Sequence, residues 1–256
     1  MSQRDLRTAR NLEEPISLPY QTVLQAMQRG EIIEEIGLMR AGSNYTFLVR
    51  IEYQTEQMLA VYKPRLGERP LWDFPDGTLC QRETAAFVVS DAMSWMLVPP
   101  TVLREGPRGE GSIQAFIDHD PRRHYFTLDE NHDSQLQVLA AFDAIINNAD
   151  RKGGHCLLDA DDHIWGIDHG LGFHHHPKLR TVIWDYAGQD LPEPILGDLD
   201  RLCQQLHNPD SPLSQELCGL LSPIEVKALI RRVTTLIAER TYPLPGSGPN
   251  RPWPAI

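Results

Sequence analysis

Lys63 closes the apolar run "AVYKP", and Glu83 stands near the start of "CQRETAAFVV". Asp150 follows Asn147-Asn148-Ala149, and Asp168 ends "HIWGID" just before His169-Gly170. A lysine presented from one face of a strand can point a fixed charge at a phosphate, and a carboxylate on a neighbouring helix can set its direction through an ion pair. The two aspartates are 18 residues apart and the segment between them reads as strand, turn and strand, which returns the chain to where it started. Carboxylates so placed can divide labour: one takes a hydroxyl proton, the other holds magnesium against phosphate oxygens. Each residue alone has a plainer reading, as a strand-end lysine, a solvated helical acid or an aspartate capping a turn. The ordered set of four is what points to chemistry on a magnesium nucleotide.

The elements that must position these groups follow from hydrophobic patterning. "TVLQAMQRG" reads as a short helix stopped at Gly30. "EIIEEIGLM", "YTFLVRIEY" and "MLAVYKP", joined by the short links "AGSN" and "QTEQ", predict three antiparallel strands. A helix is expected from Leu79 to Leu97, with Ala86, Val89, Met93 and Met96 on one face, ended by Pro99-Pro100. "TVLREGPRGEGSIQAFID" predicts a hairpin turning at "GPRGEG". A further helix runs from Ser134 to the Asn-Asn pair, followed by the short strands "HCLLD" and "HIWGID". From Pro192 to Thr241 the pattern is helical, and Ser222, Pro223 and Glu225 form a helix start with capping-box spacing. The fold class expected is therefore α+β in two lobes, residues 1–117 and 118–256, a β-rich front with one inserted helix and a mainly helical back.

The chain of 256 residues is 41% hydrophobic and 23% charged, enough for an ample core, and its formal net charge is -11. That balance argues against a general nucleic-acid or anionic-membrane binder, since both partners reward a basic surface. No stretch approaches 18 uninterrupted apolar residues and "MSQRDLRTARNLEEP" has no apolar signal region, so no integral membrane segment and a cytoplasmic location are expected. Four cysteines without a C-x-x-C pair fit reduced thiols. The tail "TYPLPGSGPNRPWPAI" should be extended, with Trp253 either loose in solvent or pinning it to the body.

"AVYKP", "GSIQAFI", "NNADRKGGHCLL" and "GIDHGLGF" resemble the corresponding blocks of phosphatidylinositol 3-/4-kinase-like atypical kinases, nearest to small bacterial members whose tail also ends in "PWP". Type II phosphatidylinositol 4-kinases and HipA-type kinases are more distant relatives. The resemblance spans roughly residues 30 to 256 and implies a bilobal protein-kinase-like fold that uses ATP and Mg2+. It implies that Lys63 contacts the nucleotide phosphates, Glu83 pairs with it, Asp150 is the catalytic-loop base and Asp168 replaces the first residue of the D-F-G metal motif. Gln114, Ala115, Phe116 and Ile117 would form the hinge that meets adenine, and Gly42, Ser43 and Asn44 would cover the phosphates. His155 stands where D-x-x-x-x-N loops place a second metal ligand, although magnesium prefers oxygen. Asn148 takes the place of the H-R-D histidine, and Ala149 removes the arginine that would receive an activation-loop phosphate. Lys152 sits where serine/threonine kinases carry a phosphate-contacting lysine.

The function expected is phosphoryl transfer from ATP to an unidentified hydroxyl on a protein, lipid or small molecule. His155 and the glycine-poor loop leave open a nucleotide-binding pseudokinase or scaffold, and nucleotidyl transfer on the same fold is a third reading. The run His174-His175-His176 reads as an exposed loop, because consecutive histidines alternate direction. Asp143, inside an apolar helix, is expected to hydrogen-bond the backbone of the loop after Asp150. Trp95, Trp165 and Trp184 are expected in the core.

Overall fold

In the computed structural model of the chain, which describes residues 5–12, 14–39 and 44–256, two β-rich layers precede a helical bundle. The first element is a hairpin of β1 (Asp5–Asn11) and β2 (Glu14–Pro19), followed by α1 (Tyr20–Arg29). A five-stranded antiparallel sheet then forms from β3 (Glu31–Met39), β4 (Thr46–Tyr53), β5 (Glu56–Pro64), β6 (Thr101–Gly106) and β7 (Gly109–Ala115), in the order β3-β4-β5-β7-β6. Pairing of Tyr62 with Ile113 and Lys63 with Ser112 sets the lysine beside β7. Gly111 makes that approach possible, since a Cβ there would lie 2.4 Å from the Lys63 carbonyl oxygen.

α2 (Leu79–Ala92) is buried on nearly all sides, from Leu79 through Ser90 with only Gln81 partly open, because it is wedged between β6–β7 and the helix α5 (Pro212–Leu220). It ends five residues earlier than the periodicity suggests: Ser94 and Met96 take left-handed φ of 55° and 52°. The amides of Leu97 and Val98 turn back to the Ser90 hydroxyl oxygen, at 3.1 and 3.2 Å, and this fixes the exit. The glutamate Glu68 caps the other end by accepting from the Leu79 and Cys80 amides, at 3.0 and 2.8 Å.

α3 (Asp133–Ile146) carries the apolar face Leu136, Leu139, Phe142 and Ile146 into the core, and Asn147 closes it at φ 55°. The small hairpin β8 (Cys156–Leu158) and β9 (Ile164–Gly166) follows, then α4 (Glu193–His207), α5 and α6 (Pro223–Glu239). Ser222 and Glu225 form the expected cap, the Ser222 amide donating to the Glu225 carboxylate at 3.0 Å. The α+β architecture expected from the sequence is the one observed.

No helix among the described residues is long and apolar enough to cross a membrane. All four cysteines are free. The tail is extended, and Trp253 does not pin it: that ring is 92% exposed. The anchors are buried Pro252 and the Asn250 carbonyl, which accepts from the Thr181 amide at 3.1 Å and from Trp184 Nε1 at 2.9 Å.

Candidate functional site

A cleft of about 670 Å³ opens between the sheet and the helical part. It is lined by β5 through Lys63, by the chain leaving β7 (Gln114 to Ile117), by the loop after α3 (Asp150, Lys152, His155) and by Asp168 after β9. Lys63 Nζ lies 2.5 Å from Glu83 Oε1 and 2.9 Å from Asp168 Oδ1, so two carboxylates, one from α2 and one from the turn after β9, share the ammonium of β5. The second Glu83 oxygen accepts from the His169 amide at 2.9 Å, which ties α2 to the Asp168 turn. Asp168 has a left-handed φ of 61°, a conformation aspartate tolerates better than most residues and one held here by its neighbours.

The electrostatics follow from this geometry. Burial alone would lower the Lys63 pKa, but Asp168 and Glu83 outweigh it and the ammonium is raised. Asp168 is held far below the usual carboxylate range, first by the Lys63 charge. Burial pushes Glu83 up, against the pull of Lys63. Asp150 is raised to about 6, first by burial, with Asp168 adding repulsion and Lys152 opposing. The Lys152 ammonium stands 3.5 Å from the Asp150 carboxylate. Burial takes His155 down to about 4, so its ring is neutral at pH 7.

The Asn-Asn pair is the scaffold of the catalytic-loop candidate. Asn147 donates to the His174 and His176 carbonyls at 2.8 and 2.7 Å and accepts from the Lys178 amide at 2.8 Å. Asn148, fully buried, donates to Asp143 at 2.9 Å while its side-chain oxygen accepts from the Asp150 amide at 3.0 Å. Asp143 does not reach out to the backbone of the loop after Asp150. Its carboxylate binds the side chains of Asn148 and Arg151, with Arg151 Nε at 3.0 Å and Nη2 at 3.0 Å, because a fully buried carboxylate gains more from a charged partner. Arg151 also donates to the Ile167 and His155 carbonyls, at 2.9 and 3.1 Å, and lies 2.6 Å from His169 Nε2. One guanidinium therefore binds the loop after α3 to the turn around Asp168.

The expected hinge residues Gln114, Ala115, Phe116 and Ile117 all line the cleft. The Ala115 and Phe116 amides donate to Pro100 and Leu59 carbonyls, at 2.9 and 3.2 Å, and the Gln114 side chain donates to the Thr101 hydroxyl at 2.8 Å. Of the expected phosphate-covering residues, Gly42 and Ser43 lie outside the described residues, and Asn44 lines the cleft while accepting from the Arg69 amide at 2.9 Å. His174 corrects the reading of an exposed histidine loop: it is buried, with Nε2 2.9 Å from the Asp73 carbonyl and Nδ1 accepting from the His176 amide at 3.0 Å. No group of three metal-ligating side chains occurs among the described residues. Trp165 is fully buried and bonded to Asp159, while Trp95 and Trp184 are half-buried and bonded to Asp198 and the Asn250 carbonyl.

No family model matches the chain. It is 38% identical, over 256 aligned positions, to protein Rv2133c of Mycobacterium tuberculosis (strain ATCC 25618 / H37Rv), an alignment covering 86% of this chain and 91% of the relative. The chain belongs to the family of that protein. The relative's name states no activity, so it assigns none here. Among solved structures the chain is similar to CtkA, a proinflammatory kinase of Helicobacter pylori, at 14% identity and a TM-score of 0.47, covering 84% of this chain and 93% of that one.

Several cleft residues carry no signal in the sequence. Pro254 and Ile256 return from the tail to the cleft wall beside Lys152 and Gly154, and the Gly153 amide donates to the Ala255 carbonyl at 2.8 Å. Glu68, Arg69 and Leu71, from the segment after β5, close the side near the α2 N-terminus. Neither the extended composition of the tail nor the "PWP" likeness places it against the cleft.

Proposed function

We propose that the protein is an ATP-dependent phosphotransferase of the phosphatidylinositol 3-/4-kinase-like type, with its lobes at residues 1–117 and 118–256 and its acceptor a hydroxyl group. The observation that carries this reading is the meeting of Lys63, Glu83, Asp168 and Asp150, from four separate elements, on one cleft of nucleotide size. Lys63 is aimed by Glu83 and would grip phosphate oxygens. Asp168 would hold the divalent cation, magnesium in the usual case, which neutralises charge on the phosphates. Asp150 would orient the acceptor hydroxyl and take its proton as the acceptor oxygen bonds to the γ-phosphorus and the bond to the ADP oxygen breaks. Its pKa of about 6 leaves it mostly ionised near neutral pH, yet basic enough to be useful. Lys152, beside it, would balance charge on the transferring group. The free cysteines fit a reducing cytoplasm, where ATP is abundant.

The test is incubation with γ-labelled ATP and a divalent cation, with and without cell extract. Label on the protein or on one extract component is expected from wild type and not from Asp168→Asn. Label transferred as AMP in a parallel incubation with α-labelled ATP would move the reading to nucleotidyl transfer. Nucleotide binding without any transfer would leave a scaffold.

A further inference from the structure

His155 is held in one orientation by the loop that carries Asp150. Its Nδ1 lies 3.1 Å from the Asp150 carbonyl oxygen and farther, 3.5 Å, from the Lys152 amide. A carbonyl can only accept, so the shorter contact assigns the proton to Nδ1 and leaves Nε2 with its lone pair. Nε2 is 3.3 Å from Asp168 Oδ2, while the other Asp168 oxygen is taken by Lys63 at 2.9 Å. Two electron-pair donors therefore face each other at the cleft wall, an arrangement that repels unless a positive centre lies against both. Adjacent donors on one metal ion, at metal–ligand distances of about 2.1 Å, stand about 3 Å apart. The observed separation suits that role.

We propose that Asp168 and His155 form a mixed oxygen–nitrogen cation site that takes Mn2+ in preference to Mg2+, with nucleotide phosphate and water completing the shell. The inference rests on reading the cleft as a metal–nucleotide site, and it sharpens which metal. Mg2+ is a hard ion that favours all-oxygen shells, whereas imidazole suits first-row transition ions, and Mn2+ accepts both donor types. The protein supplies only two donors, so the ion binds together with nucleotide and weakly without it.

Mn2+ and the non-hydrolysable ATP analogue AMP-PNP are bound to the full chain, and electron spin-echo modulation is recorded. Wild type is expected to show a nitrogen coupled to Mn2+ that changes isotope when the protein is labelled with 15N-histidine, and His155→Asn to lose it. Calorimetry is expected to show Mn2+–AMP-PNP binding weakened at least ~10-fold in His155→Asn, with Mg2+–AMP-PNP little changed. His155→Gln serves as a second variant, and both are checked for native near-ultraviolet circular dichroism. Mn2+ bound in an Asp168-dependent way without histidine coupling, or an unchanged Mn2+:Mg2+ preference in both variants, overturns this proposal and leaves the metal–nucleotide reading intact. Failure of folded wild type to bind either metal–nucleotide complex overturns that reading as well.

Discussion

Asp150 pays for its chemistry in stability, and Asp150→Asn should reveal it as a pH-dependent gain. Its folded pKa is about 6 against an ordinary 3.8, so the folded state holds the proton more tightly than the unfolded chain does. Wild-type stability therefore falls as pH rises from about 4 to about 6, and the full penalty remains above that. Two units at 1.36 kcal/mol each would be about 3 kcal/mol. The carboxylate is 25% exposed and Lys152 stands beside it, so solvent screening reduces the expectation to about 1 kcal/mol. Asparagine keeps the shape without the charge. In urea unfolding, Asp150→Asn should match wild type near pH 4 and be more stable by about 1 kcal/mol at pH 7.5. The same variant should slow phosphotransfer about 10²–10⁴-fold with nucleotide affinity nearly intact. A variant less stable than wild type at pH 7.5, or a difference that does not change with pH, would refute the reasoning.

Arg151→Met strands the fully buried Asp143 carboxylate and should cost about 3–5 kcal/mol in chemical unfolding. The pair Asp143→Leu with Arg151→Met should cost less than the sum of the singles, and strict additivity would count against coupling. Nucleotide at about 100 times its Kd should stabilise wild type by about 2.7 kcal/mol, and Lys63→Ala should shrink that thermal shift; no shift at millimolar nucleotide would count against the site. Gly111→Ala forces a methyl group into the Lys63 carbonyl, so a loss of at least about 1 kcal/mol is expected, and a neutral result in thermal unfolding would contradict the packing. Truncation before Asn250 removes the acceptor of the Gly153 amide, whose hydrogen exchange should quicken while amides in α4 keep their protection.

What the sequence showed and what it hid divide by range. The Lys63 strand, the Glu83 helix and the strand–turn–strand before Asp168 are local patterns, readable from apolar alternation and turn residues. The end of α2 was misread because Met93 and Met96 continue the helical spacing, while the Ser90 hydroxyl that reverses the chain gives no periodic signal. β1 and β2 escaped notice because their inward residues include Thr8 and Ala9, which do not stand out as an apolar face; β1 nonetheless covers the outer side of the sheet at Leu48 and Leu59. The role of Arg151 was hidden by its type, since an arginine after an aspartate usually reads as solvated, and only its fold partners Asp143, Ile167 and His169 bury it. The tail depends on contacts 66 residues away, from Trp184 to Asn250, which no local pattern encodes.

Other long-range contacts, made by the residue next to Glu83, explain why the Lys63–Glu83 pair is already closed. α2 presents Glu83 to the cleft from one side, and from another it presents Arg82, a buried guanidinium that pairs with Glu225 of α6 and donates to the Gly172 carbonyl at 2.8 Å. Phe74 lies under that guanidinium, 5.0 Å from the ring centre. Swinging α2 outward to part Glu83 from Lys63 would also pull Arg82 from Glu225 and expose an apolar helix that has no free face. Breaking one buried charge pair costs about 3–5 kcal/mol, before any apolar area is counted. The cations beside Asp150 are already engaged, Lys152 with Asp150 itself at 3.5 Å and Arg151 with Asp143 at 3.0 Å, so neither stands ready to offset that cost. Under the proposed activity, control would act on what enters the cleft rather than on the position of α2, and Pro254 and Ile256, which line that cleft from the tail, are where such control would be sought.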